Sequence, residues 1–234
     1  MDHSHWWVGR LAFSLGVTAL LAFAGGPLLA HFGVASPMAG FALFALGGVL
    51  GVVCLVAGIA TALYGDGYGF GLIAGAVITV VFVTLAAFAR RYPPINDITT
   101  DILSLPQFVS AASPSGGDGR DMGYQQASFA PQQQASYPDI KPLPVNLTPD
   151  EAFRRVEAAA RQMPDWTITH DDPAARVIEG VATTRLFRFK DDFVIEVRPD
   201  GNASIVHMRS RSRDGKGDVG ANAARIRAFF ARLG

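Results

Sequence analysis

Read by polarity alone, the chain changes character near residue 92. Three long apolar runs come first, at 11–32, 38–64 and 68–88. Each reaches or exceeds the roughly 20 residues needed to cross about 30 Å of hydrocarbon, so the pattern predicts three transmembrane helices. Further along, apolar residues are spaced instead of continuous. Thr148-Pro149-Asp150-Glu151 predicts a helix start: a threonine cap, proline at the first helical position and a glutamate completing a capping box. Phe153, Val156, Ala160 and Met163 then recur at helical spacing, and Pro164 closes the helix. Four strand-like runs follow at 166–170, 176–184, 192–198 and 203–211. The tight turn Pro199-Asp200-Gly201-Asn202 joins the last two into an antiparallel hairpin. A final helix is predicted over about 220–233, burying Ile226, Phe229, Phe230 and Leu233. The order predicts an α+β fold, a small antiparallel sheet covered by helices.

Charge sharpens the division. The 20 basic and 20 acidic residues cancel, which points away from nucleic acid or an acidic partner. Up to Tyr92 the charged residues are Asp2, Arg10, Asp66, Arg90 and Arg91; the remainder lie beyond. The pattern therefore predicts a helical anchor over 1–91 and a soluble domain over 92–234. None of the three runs contains Asp, Glu, Lys or Arg, which favours an anchor or packing unit over a pump or ion path. Gly47 and Gly51 in the second run, and Gly67, Gly71 and Gly75 along the third, repeat every four residues. Such a stripe lets helix backbones approach closely, within one chain, with a second copy or with a membrane protein partner. Gly25-Gly26-Pro27 predicts a kink or break in the first helix, and Trp6 and Trp7 read as interfacial anchors. Arg10, residues 11–21 and Ala22-Phe23-Ala24 also fit a cleavable secretory signal; continuation of the apolar run to Phe32 favours a retained helix. Cys54 is the one cysteine, so no disulfide forms within a protomer.

Residues 110–136 are rich in Ser, Gly, Gln and Ala and predict a mobile loop. On either side, Tyr92-Pro93-Pro94-Ile95 and Tyr137-Pro138-Asp139-Ile140 begin segments that read as extended and laid onto the domain. Gly215-x-Gly217-x-x-Gly220 has the spacing of a dinucleotide-binding turn, but the strand before it belongs to an antiparallel hairpin and no second strand follows. The glycines are better explained by a sharp exit from the strand, with Asp218 capping the helix beyond. Around that turn, Arg209, Arg211, Arg213, Lys216 and Arg225 form a basic set able to hold an anion or a partner. Glu179, Asp191, Asp192 and Glu196 are the cross-strand carboxylates that would instead pair with them. Asp191 and Asp192 point to opposite sheet faces. His170 belongs to a polar turn, and His207 is expected on a solvated face. Met1-Asp2-His3 has the form of a copper-binding tripeptide, set aside because it requires a free amine. No catalytic triad, metal-ligand spacing or phosphate loop is visible, and no cofactor is expected.

Ile95-Asn96-Asp97-Ile98-Thr99-Thr100-Asp101, Pro106, Phe108, Tyr137-Pro138-Asp139-Ile140 and Phe189-Lys190-Asp191-Asp192-Phe193 resemble the domain-of-unknown-function 1499 family. So does Arg209-Ser210-Arg211-Ser212-Arg213 followed by Gly217-Asp218-Val219-Gly220-Ala221-Asn222. Arg209 itself and the length of the 110–136 loop depart from the family pattern. The resemblance implies no activity. It does imply an extracytoplasmic domain, because related domains occur on bacterial lipoproteins and in the thylakoid lumen. Arg90 and Arg91 against Arg10 lean the other way under the positive-inside rule; a whole-domain resemblance outweighs one arginine. The sequence therefore predicts a multi-pass protein of the bacterial inner membrane with a periplasmic domain, acting as a binding or assembly module for a membrane protein partner or a small anion. The alternatives are an enzyme using the Arg/carboxylate cluster on an anionic substrate, or an accessory subunit of a membrane transport complex.

Overall fold

A computed structural model describes residues 6–63, 69–112 and 121–234. The chain divides into two compact units, Met1–Arg91 with Arg185–Arg188, and Tyr92–Thr184 with Phe189–Gly234.

The first unit holds α1 (Trp6–His31), α2 (Pro37–Leu63) and α3 (Phe70–Ala89). Gly9–His31, Pro37–Leu63 and Phe70–Ala89 are long and apolar enough to cross a membrane, and Arg10 is the one charged residue in these stretches. Helix α1 runs on through Pro27 instead of breaking there. Proline near the end of a packed membrane helix removes one intrahelical bond, and the neighbouring helix supports the rest. Gly26 serves that packing: a methyl group there would lie 2.6 Å from the Phe44 backbone nitrogen of α2, whereas Gly25 faces open space. The described glycines of the four-residue stripes also meet helices of the same chain. Gly47 abuts the Phe23 backbone of α1 and Gly51 abuts Ile78 of α3, while Gly71 meets the Ala12 carbonyl of α1 and Gly75 the Leu55 backbone of α2. Gly67, the side chains of Trp6 and Trp7, and Met1-Asp2-His3 lie outside the described residues.

The second unit is an antiparallel sheet with helices packed on it. Its elements are β1 (Asp97–Thr99), α4 (Gln126–Ser136), β2 (Leu143–Val145), α5 (Pro149–Arg161), β3 (Trp166–Asp172), β4 (Val177–Thr183), β5 (Lys190–Asp200), β6 (Ala203–Ser212) and α6 (Ala221–Leu233). The strand order is β1-β6-β5-β4-β3, with β2 beside β1 on the same edge of β6. At the start of α5 the Glu151 carboxylate accepts the Thr148 amide at 3.1 Å and its hydroxyl at 2.6 Å. Ala152, Phe153, Val156 and Ala160 form its buried stripe. Phe193, Ile195, Met208, Ile226 and Phe229 fill the core between sheet and helices, and the Trp166 ring lies 4.0 Å from Phe193. Part of the expected loop is helical: α4 occupies 126–136 because Gln133 is buried, accepting the Thr99 amide at 3.0 Å and donating to the Thr99 carbonyl at 2.6 Å. One side chain thus extends the ladder at the end of β1.

The glycine-rich turn has a backbone explanation. Gly215 and Gly220 both have φ +80, and a side chain on Gly220 would collide with the Tyr92 ring. Asp218 caps α6 by accepting the Gly220 and Asn222 amides, both at 2.8 Å. The preceding strand, β6, is antiparallel to every strand it pairs with, so no βαβ unit surrounds the turn.

The two neighbouring glycines of α1 give a paired test. Gly26→Ala overpacks the α1–α2 contact and should destabilise by about 1–3 kcal/mol. That lowers the melting midpoint of the detergent-solubilised protein by about 2–4 °C per kcal/mol. Gly25→Ala should leave the midpoint unchanged or slightly raised; equal losses would refute this account.

Candidate functional site

Residues directly opposed across an antiparallel pair share one sheet face. Arg209 opposes Thr99 and Val194, Arg211 opposes Asp97 and Asp192, Glu179 opposes Val194, and Glu196 opposes His207. All of these side chains therefore stand on the face away from the main core. Asp191 opposes Ser212 on the other face, so the basic and acidic residues picked out from the sequence are split between two environments.

On the charged face, a strap formed by residues 101–112 and 121–125 lies over the strands. Four side chains hold it. Arg209, only 1% exposed, donates to both Asp97 oxygens at 2.9 and 2.7 Å and to the Met122 carbonyl at 2.7 Å. Its guanidinium lies 5.0 Å from the Phe108 ring and 5.7 Å from the Tyr124 ring. Glu179 is buried, and its carboxylate accepts three successive strap amides, from Val109 at 2.6 Å and from Ser110 and Ala111 at 3.1 Å. Arg211 donates to the Gly123 carbonyl at 3.1 Å. Arg198 reaches the Ser104 carbonyl at 3.0 Å, Asp101 at 3.3 Å and Glu196 at 2.7 Å. Phe108, Ala111 and Val194 pack into a small second core beneath. At the strap's margin, Leu103, Leu105, Val109, Val177 and the Glu196–Arg198 pair line a groove of about 550 Å³.

The remaining predicted residues lie elsewhere. Arg213 pairs with Asp192 at 2.7 Å, beside the strap. Arg225 pairs with Asp191 at 2.5 Å on the core side, where it also donates to Ser210 and to the fully buried Asn222. Lys216 is exposed on the turn before α6. His207 is not solvated as expected but 5% exposed, because the strap covers it. Its Nδ1 lies 3.6 Å from Asp101 and has no hydrogen-bond partner. Sequence reasoning missed Asp97, Phe108, Met122 and Tyr124, which come to Arg209 from segments remote in the chain. The available signal was Asp97 itself, a carboxylate in a short β-branched stretch suited to a strand edge.

Electrostatics define what this site can do. Burial, with help from Asp97, pushes the Tyr124 phenol up to about 12, so it remains neutral and serves as a ring over the guanidinium. Burial and the nearby Arg198 push His207 below its usual value, partly opposed by Asp101 and Glu196. A neutral imidazole under the strap resists protonation.

Two expectations follow from these environments. Arg209→Met leaves Asp97 buried without its partner and should cost about 3–5 kcal/mol in denaturant unfolding, while pairing it with Asp97→Leu should recover much of that loss. Additive losses in the double variant would contradict the pairing. For His207 the folded value lies below the unfolded value of about 6.5, so its contribution is intact above that pH. The contribution is lost as pH falls from there through the folded value. A pH series of melting midpoints should therefore decline below about 6.5, and His207→Gln should flatten that decline; an unchanged slope would contradict it.

No curated protein matches the chain. A family model, Protein of unknown function (DUF1499), matches residues 97–233. The match opens on Asp97, the carboxylate that clamps Arg209, and closes on Leu233 at the end of α6, taking in the whole sheet and its strap. The protein belongs to the DUF1499 family of proteins of unknown function.

Proposed function

We propose that the chain is a membrane-anchored binding or assembly module of the bacterial inner membrane, its soluble domain periplasmic and its ligand a membrane protein partner. One observation carries this reading: Arg198, Arg209, Arg211 and Glu179 are engaged with carboxylates or with the strap backbone, and the strap turns apolar side chains outward. Leu103 is 90% exposed and Val109 60% exposed, at the rim of the groove floored by Val177 and the Glu196–Arg198 pair. Apolar side chains fixed outward by buried polar contacts suit a surface that a partner covers. Homo-oligomerisation through the glycine-striped helices is the less favoured form of assembly, since Gly47, Gly51, Gly71 and Gly75 already meet helices of their own chain. A small anion is less favoured too, because an anion at Arg209 must displace Asp97 and lift Phe108 and Tyr124 away. The same obstacle faces an enzyme reading built on Arg209 and Arg211.

A photoreactive amino acid at Leu103, in the full chain in native membranes, should give one discrete heavier adduct, and the same group at Lys216 should not. Leu103→Asp should abolish co-purification of that partner in mild detergent while leaving the melting midpoint unchanged. Recovery of the protein alone, with no adduct at Leu103, would defeat the proposal.

A further inference from the structure

His207 is a titratable side chain that the strap buries without bonding its Nδ1. The Asp101 Oδ2 oxygen stands 3.6 Å from that nitrogen, too far for a hydrogen bond. The other charged groups facing the ring come from the strands on either side. Glu196 opposes His207 across the β5–β6 pair, and Arg198 lies two residues further along β5 on the same face. On β6 itself, Arg209 is the next residue on that face, and it is matched by Asp97 of β1. Strand β2 has no titratable side chain.

Asp101 and Arg198 also fasten the strap's first turn. The Asp101 Oδ1 accepts the Leu103 and Ser104 amides, both at 2.9 Å. Arg198 donates to Asp101 Oδ2 at 3.3 Å, to the Ser104 hydroxyl at 3.2 Å and to the Ser104 carbonyl at 3.0 Å. A second proton on the imidazole makes both ring nitrogens donors and places a cation out of water, close to the guanidinium that holds this turn. Asp101 and Glu196 offset part of that cost, but each already accepts from Arg198. Lifting residues 101–105 gives the ring water and lets Arg198 move away.

We propose that residues 101–105 form an acid-released latch, in which a proton on His207 frees this margin of the strap while the sheet beneath stays intact. In the closed form, burial and Arg198 hold the imidazole below its usual value. In the open form the exposed ring regains an ordinary value of about 6.5. The closed form binds the proton less well, so it is favoured above that value and opens as pH falls below it. At about pH 5.5 the ratio of open to closed rises by up to about tenfold, the limit set by full protonation of the exposed ring. A consequence for docking rests on the partner reading at Leu103: opening the margin takes Leu103 and its groove apart, so acid releases the partner.

Hydrogen exchange of the full chain in mild detergent, read by mass spectrometry and corrected for the intrinsic effect of pH on exchange, tests the latch. Between about pH 7.5 and about pH 5.5, protection of peptides covering 101–105 should fall about fivefold to tenfold. Protection over β5 and α6 should hold. His207→Gln should remove the pH dependence at 101–105, and His207→Leu, a second uncharged side chain, should do the same. Unchanged protection of the latch on acidification would overturn the proposal, as would an undiminished acid effect in both variants. So would an equal loss over β5 and α6, which would signify general unfolding. The photoadduct at Leu103 should weaken over the same pH range and persist in His207→Gln. Absence of that adduct at every pH would sink the docking reading alone, because the exchange measurement needs no partner.

Discussion

A guanidinium removed from water must be neutralised by its surroundings, and Arg209 is 1% exposed. Asp97 supplies the charge through two bonds, and the Met122 carbonyl takes a further one. Asp97 can reach it only if β1 lies along β6 with Thr99 opposite Arg209; a slip of one residue would turn the carboxylate to the core face. Met122 can reach it only if the chain, having left β1, returns across the sheet. A buried pair of this kind adds little net stability compared with a well-packed apolar pair. Its contribution is to fix a three-residue strand that would otherwise have little to hold its register.

The strap depends on the same arrangement. Phe108 and Ala111 are buried beneath it but Leu103 and Val109 are exposed, so only part of its apolar surface offsets the entropy of ordering an irregular segment. Glu179 compensates by accepting three consecutive amides, a task for a carboxylate that no intra-strand partner claims. Arg198 and Arg211 add charge-assisted bonds to carbonyls at Ser104 and Gly123. Polar side chains on the outer sheet face thus do the work that an apolar layer does on the inner one, and His207 is buried as a by-product.

Local features were readable in the sequence because their causes are local. Thr148 to Glu151 announces α5, Gly201 announces the β5–β6 turn with φ +61, and long uncharged runs announce α1, α2 and α3. The sheet was legible as antiparallel, but only four of its strands, because β1 and β2 are three residues each and depend on β6 for their existence. Helix α4 was hidden for a related reason: its glutamines resemble a solvated tract until Gln133 meets the Thr99 backbone. Among the site residues, alternation correctly parted Asp191 from Asp192. Pairings were harder to foresee. Nearest-neighbour reasoning matched Arg209 with strand carboxylates, whereas its partner arrives from 112 positions upstream.

This pairing pattern bears on what the family's fold can be used for. Catalytic constellations need a group whose charge or lone pair is held ready for a substrate. Here Arg209, Arg213 and Arg225 each already face a buried carboxylate, and Glu179 faces amides, so those groups are committed to architecture. On the reading proposed above, recognition of another molecule falls to what the architecture projects outward. In the sheet domain that is the apolar edge of the strap, where Leu103 and Val109 stand exposed. It is a short irregular segment with one side fixed by buried contacts and the other left outward, a surface suited to binding without any further chemistry.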